Sequence, residues 1–130
     1  MLEIKNSDDF DAMVIELFED VVNTNSDEDY KNKSISFSDR AKELIHTTAE
    51  YARTSDFYNE LMSNNVHRAE RDEYAELAKT KSASLLWIDM CNKILCAPTS
   101  LYMGCVPILL IPILDDKLRS ESNDTDAGRV

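Results

Sequence analysis

Apolar residues recur along this chain at helical rather than strand spacing. Phe10, Met13, Val14, Leu17, Phe18 and Val21 fall three and four apart, so one amphipathic helix is expected over about residues 8–23. Ser7 is placed to cap it, and Asp8 and Asp9 lie in its first turn, where the helix dipole favours negative charge. Asn23 to Lys33 is polar and reads as a loop. Ser34 to Ser38 alternates like a strand but is very short. Ser38 can cap a second helix through about Arg53, with Ala41, Leu44, Ile45, Thr48, Tyr51 and Ala52 turned inward. A short helix carrying Phe57, Leu61 and Met62 should stop near Asn64 and Asn65.

From about residue 68 to 96 there is neither glycine nor proline, and one long helix is the economical expectation. Its first stripe is Tyr74, Leu77 and Ala78, continuing with Leu85, Ile88, Cys91 and Leu95. Beyond Leu85, however, Leu86, Trp87, Met90 and Ile94 make the other side apolar too, as in a helix that is central or part of an interface. Residues 101–114 are strongly apolar but broken by Gly104, Pro107 and Pro112, so short turns and extended pieces are expected. Residues 119–130 read as a flexible tail. The fold class expected is therefore all-α: four or five helices, one long helix (about 68–96), and a Pro-interrupted apolar C-terminal segment. Residues 1–118 form a single helical domain in this reading.

Composition supports it. With 130 residues, Gly 2 and Pro 3, the chain has too few turn formers for a many-stranded fold. Cys91, Cys96 and Cys105 are an odd number in apolar surroundings and read as reduced packing groups. The N-terminus lacks the pattern of a secretory signal and no apolar run is long enough to span a membrane, so a cytoplasmic protein is expected.

Charge changes the picture most. The net charge is −11, which would repel nucleic acid phosphates. Residues 1–30 hold ten acids against Lys5, a balance of −9. Asp8, Asp9, Glu16, Glu19 and Asp20 fall within about 120° of helix surface, and Asp27, Glu28 and Asp29 follow just beyond. Such a ridge is suited to steering a basic protein partner. A second candidate is an oligomer interface formed by Trp87, Met90, Ile94, Tyr102 and Met103, since aromatic and methionine side chains are enriched in interface cores.

Chemistry-bearing patterns are weaker. Glu43 and His46 have the Glu-x-x-His spacing of a di-iron ligand pair, but His67 lacks a matching glutamate and no metal is expected. Glu16/Glu19 and Glu70/Glu73 are paired acids of the kind that bind magnesium in helical nucleotide pyrophosphohydrolases, provided that they converge. Neither histidine has a context that would activate a cysteine, there is no phosphate-cradling glycine loop, and no catalytic residue or cofactor is assigned. Lys81 interrupts the apolar stripe and is an anomaly there. The function expected is non-enzymatic: an inhibitor or immunity-type antagonist that holds the basic surface of a nucleic-acid-acting protein. In composition the chain resembles small acidic anti-defence proteins of phages and mobile elements, an analogy of charge alone. The alternatives are an adaptor or homo-oligomer built on the Trp87 face, and the pyrophosphohydrolase.

Overall fold

A computed structural model describes residues 3–95 and 100–127, with side chains placed for 3–93 and 108–121. Seven helices and no strand occur among the described residues: α1 Ser7–Thr24, α2 Asp27–Asn32, α3 Asp39–Thr54, α4 Asp56–Met62, α5 Asn65–Ala78, α6 Ala83–Leu95 and α7 Ser100–Ala127. The all-α expectation holds, with more helices than the four or five foreseen.

The capping chemistry explains most boundaries. Asn6, rather than Ser7, caps α1, accepting from the Asp9 amide at 3.0 Å. The loop expected over 23–33 contains α2 because Ser26 and Asp29 form a reciprocal capping box: each side chain bonds the other residue's backbone amide. Lys33 closes α2 in the left-handed region, with φ of 59°. Ser38 caps α3 as the sequence suggests, accepting from the Ala41 amide at 2.9 Å. The segment between α2 and α3 has no regular secondary structure and is tied by side chains instead of by a partner strand. Asn25 bonds both backbone groups of Ser36, at 2.7 and 2.9 Å, and Ser84 Oγ bonds both backbone groups of Ile35, at 3.1 and 3.0 Å.

The long helix expected over 68–96 is two helices, interrupted after Ala78. The cause lies in α7. Lys117 Nζ donates to the Ala78 carbonyl at 2.9 Å, at the C-terminal end of α5, while Glu121 accepts from the Ala83 amide at 3.2 Å, at the start of α6. A cation meets the negative end of one helix dipole and an anion the positive end of the next. Ser82 adds a local cap by accepting from the Leu85 amide.

α7 differs from expectation in the opposite sense. It is helical through Pro107 and Pro112 and continues to Ala127, covering most of the segment read as a tail. Ile108, Leu109, Leu110, Ile111 and Leu114 are all buried, which makes α7 apolar on every side over this stretch and central to the fold. It packs against α3, α5 and α6, with α1 laid on α3. Tyr74 and Leu86 close the α5–α6 elbow through a buried bond from the Tyr74 hydroxyl to the Leu86 carbonyl, at 2.6 Å. Burial first, and the Asp89 charge second, raise the pKa of that hydroxyl, so it stays a donor.

Candidate functional site

The eight acids of the predicted ridge are divided by the structure into those that hold the fold and those that do not. Helix α1 buries Phe10, Val14, Leu17 and Val21. Asp9, Glu16 and Asp20 lie on the flank that turns toward α3. Asp9 accepts from the Lys5 amide at 2.9 Å in the N-terminal cap. Glu16 receives Arg40 Nε at 2.7 Å, a contact that raises the arginine's pKa. Asp20 receives the hydroxyls of Ser38 and Thr24. In α2, Asp29 is occupied by its capping box, and Glu28 has only a 3.4 Å bond from Asn32.

The side chains of Asp8, Glu19 and Asp27 form no hydrogen bond or ion pair among the described residues, and all three residues are exposed. Asp11, which the ridge as drawn from the sequence omits, belongs with them. At about 100° per residue, Asp8, Asp11 and Glu19 share one outward stripe of α1 with Ile15 and Val22. Those two apolar side chains remain 60% and 58% exposed. Helical spacing alone could have found all three additions; they were missed because the arc was centred on Asp9, Glu16 and Asp20.

Two of the five side chains proposed as an oligomer face are inside the protein. Trp87 and Met90 are completely buried. Phe18 and Phe37 cover the indole at ring-centre distances of 4.8 and 6.0 Å, and α7 packs along α6. The elbow after Ala78 explains this, because it re-aims α6 so that Leu86, Trp87 and Met90 face inward. Neither Trp87 nor Met90 is available as surface. Ile94, Tyr102 and Met103 have side chains outside the described residues, as do Cys96 and Cys105. Cys91 is half-buried with a free thiol, and burial pushes its pKa up to about 12, which keeps it unreactive.

A polar cluster joins α3 to α7. Asp115 is only 3% exposed. Its Oδ2 receives Arg53 Nη2 at 3.2 Å and Arg119 Nε at 3.3 Å, with His46 Nδ1 at 3.7 Å. Arg53 also reaches Glu50, Asp116 and the Pro112 carbonyl. Arg119 contacts His46 as well. Burial lowers the pKa of Arg53, but the charges of Asp116, Asp115 and Glu50 outweigh it and the net shift is upward. Ligand atoms of His46, Glu50 and Asp115 come within 4.8 Å of one another, the one such convergence among the described residues. Two guanidinium groups already balance these carboxylates, so the cluster works as an ion-pair clamp. Glu43, His46 and Glu50 are all exposed, and His46 and Glu50 reach the cluster from its solvent rim.

The paired glutamates are not brought together: Glu16 and Glu19 lie on α1 over α3, whereas Glu70 and Glu73 lie on α5 beside α7. Lys81 falls in the turn between α5 and α6, which accounts for a charge in an otherwise apolar stripe. With Lys33, Asp89 and Asn92 it rims a cleft of about 220 Å³ floored by Leu77 and Leu85. That volume is below the ~300 Å³ at which ligand pockets usually begin. No described helix is long and apolar enough to cross a membrane. No family model, curated protein or solved structure matches the chain.

Proposed function

We propose that this protein is a non-enzymatic antagonist whose α1 and the start of α2 engage the basic surface of a nucleic-acid-acting protein in the cytoplasm. One observation carries the reading. Asp8, Asp11, Glu19 and Asp27 are exposed carboxylates with no cation partner among the described residues, gathered within one end of a chain of net charge −11. Carboxylates that stabilise the fold are matched within it, as Glu16 is by Arg40 and Asp115 by Arg53. The unmatched group produces a negative field that repels phosphate and accelerates encounter with a cationic protein.

The division of the acids also selects the test. Reversing Glu16 or Asp20 would disturb the α1–α3 contact, so the informative variant is Asp8→Lys, Asp11→Lys, Glu19→Lys. Wild-type protein immobilised and exposed to a lysate of its native host should retain a basic nucleic-acid-binding protein. Retention should fall as salt rises and as DNA is added, and it should be absent for the triple variant. Equal retention by the variant defeats the proposal.

A further inference from the structure

We infer that the outward face of α1 docks as a helix against an apolar strip set within a cationic protein surface, with Ile15 and Val22 as its anchors. This inference rests on the functional reading above and adds to it the contact that gives affinity. Ile15 and Val22 are seven residues apart, two helical turns, so they project from one stripe about 10 Å apart along the axis. Single exposed apolar residues are ordinary on a protein surface. Here two share a face, each more than half exposed, with Asp8, Asp11 and Glu19 on the same stripe. Positions i and i+7 are the outer two anchors of the i/i+3/i+4/i+7 pattern by which a groove reads an amphipathic helix, and here Glu19 at i+4 places a charge between them.

The surrounding charge selects the occupant. A second copy of this chain would bring the same carboxylates face to face, and anionic lipid or nucleic acid would meet the same repulsion. A cationic protein surface gains from every one of those charges. The division of labour is then physical: the carboxylates act over distance and set the encounter rate, while the two aliphatic side chains act only on contact and set the lifetime of the complex.

Two synthetic helical peptides of equal length and charge test this, one of lysine and leucine with a continuous leucine stripe, the other of lysine and alanine. Binding is read by fluorescence anisotropy at moderate salt. Wild-type protein should bind the leucine peptide about tenfold more tightly. In Ile15→Ser/Val22→Ser the preference should vanish while affinity for the alanine peptide is kept. Phe57→Ser/Val66→Ser removes the exposed apolar groups of α4 and α5 and should change nothing. The inference is overturned if the wild type binds both peptides alike, if the preference survives loss of Ile15 and Val22, or if the Phe57/Val66 variant loses it equally. The functional reading fails separately: charge reversal at Asp8, Asp11 and Glu19 would then leave both affinities unchanged. Absence of any binding overturns both. Circular dichroism of each variant confirms that the helices remain.

Discussion

Replacing Arg53 by methionine tests the claim that the α3–α7 cluster is a structural clamp. The change keeps the aliphatic stem and removes the guanidinium that reaches Glu50, Asp115, Asp116 and the Pro112 carbonyl. Asp115, only 3% exposed, would keep just Arg119 and the more distant His46. Removing one partner of a fully buried pair costs about 3–5 kcal/mol. Arg53 is itself 30% exposed and Arg119 remains, so about 2 kcal/mol is expected. Unfolding entropy of roughly 2.1 cal/mol/K per residue gives about 0.27 kcal/mol/K for this chain, hence a fall in Tm of about 7 °C.

Asp115→Leu should cost less, because its release leaves arginines that can turn to solvent. The double variant should be no less stable than Asp115→Leu alone, since the stranded carboxylate is gone. Thermal unfolding by circular dichroism measures all four corners of the cycle. A fall below about 2 °C for Arg53→Met, or strict additivity in the double variant, would refute the clamp.

Three further outcomes follow from the same structure. Ser38→Ala removes both the α3 cap and the hydroxyl held by Asp20, and should lower stability by about 1 kcal/mol in urea unfolding with an unchanged m-value; Ser38→Thr should recover most of it. In a Cys96→Ala/Cys105→Ala background, Cys91 should alkylate at pH 8 far more slowly than in urea. Because its pKa rises from 9.0 unfolded to about 12 folded, the folded state holds the proton longer, and the associated stability is complete below pH 9 and lost as pH rises toward 12. Unfolding at pH 8 and 10.5 should therefore show a larger loss for this background than for the same chain with Cys91→Ala; equal losses contradict the burial. Trp87, the single tryptophan, should resist acrylamide quenching until the protein unfolds, and Trp87→Ala should cost about 3–5 kcal/mol, read from the urea midpoint. Ready quenching in native buffer would contradict its position beneath Phe18 and Phe37.

Local chemistry made much of the fold legible in advance. The stripes of α1 and α3, the Ser38 cap and the stop after Met62 depend on side chains within a few residues of one another, so spacing reveals them. The Ser26–Asp29 capping box was equally local and could have been read from its pattern. The concentration of acids in the first thirty residues is a property of the chain itself.

What sequence could not reveal was decided by residues far apart. The break after Ala78 depends on Lys117 and Glu121, 39 and 38 residues away, which satisfy the helix ends that the break creates. Continuity of α7 through two prolines opposes local preference by about 3 kcal/mol each, a cost outweighed by burying Ile108, Leu109, Leu110, Ile111 and Leu114. Trp87 faces inward because the elbow re-aims α6 under Phe18 and Phe37. The free acids, too, are defined by packing. Helical spacing turns Glu19 away from the buried face and Glu16 and Asp20 toward its flank, but it is the approach of Arg40 on α3 and of Ser38 at its cap that engages those two and leaves Glu19 unmatched. Charge is written in the sequence, but whether a charge is neutralised depends on what the fold places within hydrogen-bonding reach.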